Sequence, residues 1–272
     1  MKVIALGSPL LRRIPGGRQA LENRAVGITS VAIVLVIWWI VTRLGFVSQV
    51  LLPAPAAITT TFVELTKSGD LPRHIAVSMG RVLVGFLIAF SLAIPLGTLV
   101  GVSRISRSAI MPLVELVRPI PPIAVIPMAI LWLGIGEVSK YSIIAYGAFF
   151  PIFLNTMTGF AAVDPVHVRA ALTLGASRAQ VFRYVILMSA FPNIVVGARL
   201  GMAMAFIVLV ASELIAAESG LGFLIMDARN QFRSDWMFVG MISMGILGYL
   251  LNLVLLGIER RVLRWRTVVH AK

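Results

Sequence analysis

The sequence contains no cysteine and little charge. Asp, Glu, Lys and Arg together make up 13% of its 272 residues, about half of the share that is usual in soluble domains. The absence of cysteine excludes disulfides and thiolate metal sites. No G-x-x-x-x-G-K-[ST] segment occurs, so the chain cannot hold ATP by a phosphate loop. Its three histidines are far apart in sequence and lack the spacing of a zinc-binding helix.

Apolar residues take the place of charged ones. They make up 59% of the chain, and its mean hydropathy is +0.96. A soluble domain of this length could not bury so much apolar surface. Apolar runs of about 20 residues match the hydrocarbon core of a bilayer. The composition therefore predicts an all-α integral membrane bundle.

About six transmembrane helices are predicted. In chain order they cover residues 26–42, 75–100, 110–133, 141–163, 187–217 and 236–258. They divide the chain into a tail of residues 1–25, a transmembrane domain of residues 26–258 and a basic tail of residues 259–272. Residues 55–67 form a weakly amphipathic helix between the first two spans, with Ile58, Phe62 and Leu65 on one face. Gly97 and Gly101 form a G-x-x-x-G helix-packing pattern in the second span.

The basic residues outside the spans predict the orientation, because cytoplasmic loops carry the excess of Lys and Arg. Most of them fall on the side that holds both tails, the 101–109 loop and the 164–186 loop. They are Lys2, Arg12, Arg13, Arg18, Arg24, Arg104, Arg107, Arg169, Arg178, Arg183, Arg260, Arg261, Arg264, Arg266 and Lys272. Both termini and the 164–186 loop are therefore predicted to be cytoplasmic.

The 164–186 loop has the pattern of a helix, a tight turn and a second helix. Asp164 is a good N-cap, and Pro165 suits the first helical position. Gly175 suits a helix end in the left-handed conformation. Ser177 and Gln180 form the capping box S-x-x-Q, which begins the second helix.

This loop resembles the "EAA" loop of ATP-binding-cassette (ABC) importer permeases, written E-A-A-x3-G-x9-I-x-L-P. Ala170, Ala171 and Gly175 match it, whereas Arg169 replaces the usual Glu and Met188 the usual Pro. Four further segments resemble the nitrate, sulfonate and taurine branch of these permeases in the family's order. They are LPAP (Leu52–Pro55), RPIPP (Arg118–Pro122), WLGIGE (Trp132–Glu137) and SGLGFLI (Ser219–Ile225).

The resemblance implies the fold of a type I ABC importer permease and a set of partners. Two copies of this chain, or this chain and a close homologue, would join two cytoplasmic ATPase subunits and an extracytoplasmic solute-binding protein in the lipid of a bacterial inner membrane. ATP and Mg would bind to the ATPase. The chain itself would bind no cofactor and no nucleic acid, and would not be an enzyme.

The resemblance also implies a mechanism and a class of substrate. ATPase closure would pull on the 164–186 loop, hereafter the docking loop, and drive alternating access. The substrate would be a small anion such as nitrate, bicarbonate, taurine, another alkanesulfonate or an aromatic carboxylate. The residues expected to dock the ATPase are Arg169, Ala170, Ala171, Gly175, Ala176, Ser177 and Arg178.

The alternative is a secondary transporter or channel that works without ATP. Such a protein would need ion-coupling residues or an inverted repeat, and neither is evident in the sequence. An intramembrane enzyme would need a nucleophile with its base or a metal set within the spans, which the scattered histidines do not provide.

Proline is concentrated in the third span. Pro112, Pro119, Pro121, Pro122 and Pro127 cannot all lie in one regular helix. Irregular backbone at membrane depth survives where protein buries it or where it lines an aqueous cavity. We expect residues 118–127 to lie near the translocation pathway, and a kink needed only for helix packing is the other interpretation.

Ionisable and polar residues within the spans are further pathway candidates. Glu115 and Arg118 could instead form a local ion pair at i, i+3. Arg199 belongs to a Gly-x-Arg pattern that resembles one shared by permeases with different substrates, which favours a structural role. Glu213 is a candidate pore-facing residue, and Asn155 could line a polar path or bond to another helix. The candidate pathway set is Glu115, Arg118, Pro121, Pro122, Asn155, Arg199 and Glu213.

The absence of cysteine allows a direct test of the predicted orientation. A single cysteine at Ser177, Arg107 or Arg264 should be shielded from a membrane-impermeant thiol reagent in intact cells, because these positions are predicted to be cytoplasmic. A cysteine at Ser68 should be labelled. Strong labelling at position 177 in intact cells would reverse the orientation.

Overall fold

A computed structural model describes the backbone of residues 17–263 and the side chains of residues 29, 30 and 32–263. All regular structure in this part of the chain is helical. The chain divides into two compact units, residues 1–57 and 58–272. Some predictions lie outside the described residues. They concern the outer parts of both tails, His270, and the charges of Lys2, Arg12, Arg13, Arg18, Arg24, Arg264, Arg266 and Lys272.

The first unit contains helix α1, Gly17–Arg43. This helix covers the predicted first span, but it begins within the segment that was expected to be a tail. Near its end the Arg43 guanidinium lies over the Trp39 ring, 5.0 Å from the ring centroid. A tryptophan and a basic residue at a helix end are typical of the interface between membrane and water.

The remaining helices belong to the second unit, except that α2 begins at the boundary. They are α2 (Pro55–Lys67), α3 (Asp70–Val102), α4 (Arg104–Val117), α5 (Pro122–Leu133), α6 (Glu137–Ala161), α7 (Pro165–Thr173), α8 (Arg178–Gln180), a π-helix named π1 (Val181–Ile186), α9 (Leu187–Ala216), α10 (Leu221–Asn230) and α11 (Ser234–Val262).

The all-α membrane fold is confirmed by the length and hydropathy of these helices. Within the described residues, four helical runs are long and apolar enough to cross a membrane, and α4 with α5 makes a fifth if the pair is counted as one span. The four runs are α3, α6, α11 and the run Arg178–Asn230 that contains α9. α10 has no counterpart among the predicted spans. α11 ends at Val262, so the tail predicted for residues 259–272 begins within a helix.

The amphipathic helix α2 forms as predicted, with one difference in its buried face. Ile58, Thr61 and Leu65 are buried, whereas Phe62 is 39% exposed. Thr61 belongs to the inner face because its hydroxyl donates a hydrogen bond to Asp235 Oδ2 at 2.8 Å. A polar pair between two helices has displaced the apolar side chain that periodicity alone favoured.

Glycines bring α3 against α6. A Cβ at Gly97 would lie 2.8 Å from the Phe153 carbonyl oxygen, and one at Gly101 would lie 2.8 Å from the Met157 carbonyl oxygen. These distances are too short for any side chain, so the two backbones are in direct contact. The G-x-x-x-G pattern of the second span is thus a packing face within the chain.

Glycines also bring α9 against the other side of α6. A Cβ at Gly197 would lie 3.2 Å from the Pro151 carbonyl oxygen, and one at Gly201 would lie 3.0 Å from the Ala148 carbonyl oxygen. This second G-x-x-x-G pattern is equally visible in the sequence. α6 is therefore the central helix of the three, and its residues dominate the buried apolar core.

The third predicted span is broken. α4 and α5 meet at an angle of 93°, so residues 110–133 form a bent pair of helices and not one regular helix, as their prolines predicted. Pro119 and Pro121 have no N–H to continue α4, and Pro122 begins α5 at a position where the missing donor costs nothing. The Tyr146 hydroxyl on α6 lies 3.1 Å from the carbonyl oxygens of Val117 and Ile120 and can donate to either. The bend is thus fixed to the central helix.

The glycine contacts give opposite expectations for two substitutions on α3. Gly97→Ala should destabilise the protein by about 1–3 kcal/mol, because the added methyl group overpacks the contact with α6. Gly80→Ala should leave stability unchanged or raise it, because a Cβ there meets no atom within 4 Å and alanine favours the helix. Thermal unfolding in detergent tests both, and equal melting temperatures for the two variants would contradict the close approach.

Candidate functional site in the docking loop

The first half of the docking loop is a capped helix that ends in a glycine turn. Asp164 Oδ1 accepts a hydrogen bond from the Val166 N–H at 2.8 Å, as an N-cap does. At the other end of α7, Gly175 has a φ of 85°. The Gly175 N–H donates to the Leu172 carbonyl at 3.0 Å, and the Ala176 N–H donates to the Ala171 carbonyl at 3.1 Å. This is a Schellman motif with Gly175 at the left-handed position.

The spacing of the Ala-Ala-x3-Gly pattern follows from this turn. The Ala171 carbonyl accepts the hydrogen bond from the Ala176 N–H that completes the Schellman motif, and Ala171 lies four residues before Gly175. Ala171 and Ala176 are both half-buried, so their small side chains fit inside the turn. The pattern therefore specifies the local turn, in addition to the role at the ATPase interface that the resemblance implies.

The second half of the docking loop begins with the predicted capping box. The Gln180 N–H donates to Ser177 Oγ at 3.3 Å, and the Ser177 N–H donates to Gln180 Oε1 at 2.8 Å. The helix that starts there runs through α8 and π1 directly into α9. The second docking helix is thus continuous with α9, which covers the fifth predicted span, and is not a separate element.

The π-helix between α8 and α9 was not predicted. At its end the Leu187 N–H donates to the Phe182 carbonyl, five residues earlier, in place of the usual four. Residues Val181–Ile186 carry no proline or glycine that would have indicated it. π-Helices are rare and occur often at functional positions, and here one lies where the docking loop joins a membrane span.

The outer surface of the docking loop is apolar as well as basic. No residue of α7 is buried, and Leu174, beside the glycine turn, is 87% exposed. Val166 and Leu172 are also exposed. Arg169 and Arg178 are exposed, and within the described residues they form no ion pair. Exposed apolar side chains on a short polar loop are typical of a surface that a partner covers.

A cleft of about 590 Å³ lies between α7 and the start of α9. Its lining includes His167 and Ala170 from α7, with Tyr184, Met188 and Asn193 from π1 and α9. The side chain of Ala170 is a single methyl group, so it leaves this part of the cleft open, and a longer side chain at this position would fill it.

The candidate pathway residues have separate hydrogen-bond partners. None of the hydrogen bonds or ion pairs among the described residues joins two of them. Arg199 pairs with Glu259 at 2.9 Å, and the Asn155 amide donates to the Pro151 carbonyl of its own helix at 2.8 Å. Glu115 and Arg118 are exposed near the α4–α5 bend, where Pro121 and Pro122 lie, and the local ion pair considered for these two charges is not formed.

Glu213 belongs to a buried ion cluster at the far end of α9. Arg81, on α3, is 2% exposed, and the Glu213 side chain is fully buried. Arg81 Nη1 donates to Glu213 Oε1 at 2.7 Å. Arg81 Nε and Nη2 donate to the two carboxylate oxygens of Glu137, at the start of α6, at 2.8 and 2.6 Å. Lys140 Nζ lies 3.1 Å from Glu137 Oε1 and completes a neutral set of two cations and two anions.

The same cluster holds the loop between α9 and α10. Arg81 donates to the carbonyl oxygen and to the hydroxyl of Ser219. The Gly222 N–H donates to Glu213 Oε2 at 2.9 Å, and the Leu221 N–H donates to the Ser78 hydroxyl at 2.9 Å. That hydroxyl in turn donates to the Glu213 carboxylate. The first turn of α10 is thus capped by residues of two other helices.

Glycine is required at two positions of this loop. Gly220 has a φ of 111°, and a Cβ there would lie 2.2 Å from Glu213 Oε1. A Cβ at Gly222 would lie 2.5 Å from the Glu213 Cβ. The WLGIGE and SGLGFLI segments, distant in sequence, therefore meet at Arg81. No role was predicted for Arg81, Ser78 or Glu137, although a charge inside an apolar run, such as Arg81, is itself a signal.

Comparison with known proteins gives consistent matches. The family model of binding-protein-dependent transport system inner membrane components matches residues 93–267. The putative aliphatic sulfonates transport permease protein SsuC of Bacillus subtilis (strain 168) is 38% identical and covers 98% of this chain and 98% of its own length. The taurine transport system permease protein TauC of Escherichia coli (strain K12) is 36% identical over 90% of this chain and 91% of its own length.

A solved structure supports the fold. A chain of the MetNI methionine ABC transporter in an inward-facing conformation superposes with a TM-score of 0.62 at 21% identity, over 72% of this chain and 98% of its own.

The Schellman turn can be tested by hydrogen exchange. Gly175→Ala should speed exchange of the turn amides about fivefold, because the left-handed conformation costs a residue with a Cβ roughly 1 kcal/mol. Gly175→Asn should change it little, since asparagine tolerates that conformation. Mass spectrometry of peptides that cover residues 166–182 measures both. Equal exchange in the two variants would show that the turn does not depend on the backbone of Gly175.

Proposed function

This chain belongs to the family of binding-protein-dependent transport system inner membrane components, and we propose that it is the permease subunit of an ATP-driven importer for small sulfonate-type anions. The family predicted from the docking loop is thus confirmed. Membership favours an ABC permease over a transporter or channel that works without ATP. The ATPase of such an importer is a separate subunit, so hydrolysis belongs to the partner.

The class of substrate is argued from the relatives. Two of them, each matching at least 90% of this chain, carry names that specify aliphatic sulfonates and taurine. A riboflavin transport system permease protein of Chloroflexus aurantiacus is 32% identical over 95% of this chain, so substrates differ among relatives of this kind. We therefore propose an alkanesulfonate, with taurine among the candidates, ahead of nitrate, bicarbonate and aromatic carboxylates.

The docking loop is proposed to bind the ATPase. Its exposed Leu174, the cleft beside Ala170 and the open space around Gly175 would receive the partner. The basic side chains of Arg169 and Arg178 favour an acidic groove on that subunit. Ala171, Ala176 and Ser177 would act indirectly, by holding the turn and the second helix in place.

The remaining partners and the topology belong to the same proposal. Two copies of this chain, two ATPase subunits and one solute-binding protein would form the complex. Both termini would face the cytoplasm. In this assembly the pathway would run near the α4–α5 bend, where Glu115, Arg118, Pro121 and Pro122 lie.

The experiment is reconstitution of the chain with its ATPase and binding protein in proteoliposomes. Uptake of an alkanesulfonate should require ATP and all three proteins, and the chain alone should not hydrolyse ATP, because it has no phosphate loop. Gly175→Arg should insert normally and lose uptake together with ATPase co-purification, since it strains the turn and fills the docking surface. Gly69→Arg serves as the control, because Gly69 also has a positive φ, of 86°, a Cβ there meets no atom within 4 Å, and it lies outside the spans and outside the docking loop.

Two results would contradict the proposal. Uptake that persists without ATP would indicate a secondary transporter or a channel. Full uptake by Gly175→Arg at normal abundance would show that this turn does not couple hydrolysis to transport.

A further inference from the structure

The hydrogen bonds of Arg81 exclude one role for the buried ion cluster. A guanidinium has five N–H donors, and in this structure they are matched by five acceptor contacts on Glu137, Glu213 and Ser219. The two cations and two anions of the cluster also cancel. Arg81 therefore has no free donor for a substrate anion, and the cluster as a whole has no net positive charge. The remaining donors, on Lys140, belong to a side chain that is 6% exposed, so the cluster does not suit a subsite for the anion.

The cluster and its neighbours fix the start of α10 in place through hydrogen bonds. The recorded hydrogen bonds of Ser219, Gly220, Leu221 and Gly222 to other helices all end on side chains of Arg81, His74, Ser78 or Glu213. The Gly220 N–H, for example, donates to His74 Nδ1 at 3.0 Å. If Arg81 and Glu213 separate, the N–H groups of the first turn of α10 lose their acceptors. The loop and the cluster must therefore open together.

The cluster lies at the opposite end of α9 from the docking loop. α9 contains 30 residues and is thus about 45 Å long, which is enough to cross a bilayer. If the docking loop meets the ATPase in the cytoplasm, the cluster lies at the extracytoplasmic surface, where a solute-binding protein arrives. This step rests on the proposed function.

Only one charged group of the cluster is accessible from outside. The Glu137 side chain is 45% exposed, whereas those of Arg81, Glu213 and Lys140 are 2%, 0% and 6% exposed. A protein that acts on the cluster from the surface has to act on Glu137. A cationic side chain of that protein would compete with Arg81 for the carboxylate.

We propose that the cluster is a latch that holds the Ser219–Gly222 loop closed, and that the solute-binding protein opens it at Glu137 with a cationic side chain. Drawing Glu137 away leaves the buried cation with one carboxylate where it had two, and this uncompensated charge destabilises the closed arrangement that includes Ser219. The released end of α9 can then move with the docking loop at its other end. The latch makes closure of the ATPases depend on a docked binding protein.

The test uses the whole complex and compares ATP hydrolysis with and without the binding protein. In Glu137→Gln one charge of the latch is absent, so hydrolysis without the binding protein should rise about fivefold or more over that of the native complex, as a coupling between sites of ordinary strength allows. Addition of the binding protein should then produce little further stimulation. Arg233→Gln is the matched control. It removes a partly exposed ion pair with Asp235 and a contact with the Trp236 ring, neither of which involves the cluster, and should behave as the native complex does.

A thiol at Ala217 reports on the loop itself. This residue follows α9 directly and is half-buried. In the assembled complex without binding protein, Ala217→Cys combined with Glu137→Gln should react with a soluble thiol reagent faster than Ala217→Cys alone. A combination with Arg233→Gln should not.

Two other outcomes would contradict the latch proposal, and a third would contradict the proposed function. Low hydrolysis that the binding protein still stimulates in Glu137→Gln would show that Glu137 controls nothing. Failure of this variant to assemble would assign the cluster to folding alone. A native complex that the binding protein does not stimulate would instead contradict the proposed function, and it is measured first.

Discussion

The buried cation of Arg81 determines how one end of the second unit is arranged. A guanidinium stays charged, and a charge is too costly to bury alone. The helices around it have to supply matching acceptors, and they do so from three places: Glu137 at the start of α6, Glu213 at the end of α9 and the Ser219 carbonyl before α10. None of these elements can move away from α3 without leaving a charge or a carbonyl unpaired. The glycines of the loop follow from the same constraint, because a side chain at position 220 would displace the Glu213 carboxylate.

The middle of the bundle is held by a different kind of contact. Between α3, α6 and α9 the glycines let backbones touch, and stabilisation comes from close packing rather than from charge. Such contacts have no directional partner, so they tolerate small sliding movements better than a set of hydrogen-bonded charges does. The second unit therefore combines a closely packed central interface with a specific, buried set of charges at its end.

The elements that sequence reasoning predicted correctly are those with local causes. Asp164, Gly175 and Ser177 act on backbone groups two to five residues away, so their spacing alone predicted the cap, the turn and the capping box. The long apolar spans could also be predicted from the sequence, because the thickness of the bilayer sets their length. The prolines predicted that the third span is irregular, but not its angle of 93°, which also depends on the contact with Tyr146. The ion cluster could not be predicted from spacing, because Arg81 meets partners 56 and 132 residues away. π1 has no sequence signal of its own.

The contacts of α7 and of the helical run that ends in α9 determine how a displacement of the docking loop is transmitted to the other end of α9. α7 has no buried residue, so among the described elements little restrains that end of the chain. From there α8, π1 and α9 form one helical run without a loop. Along its middle, α9 meets α6 through Gly197 and Gly201, against which the α6 side chains of Asn155 and Ile152 pack closely. Arg199 is tied to Glu259 along the way, and at the far end of the run Glu213 is held by Arg81, Ser78 and the Gly222 N–H. A displacement at the docking loop therefore has to overcome the buried ion cluster as well as the packing on α6, and the free energy needed to separate those charges contributes to how readily the two ends of α9 move together.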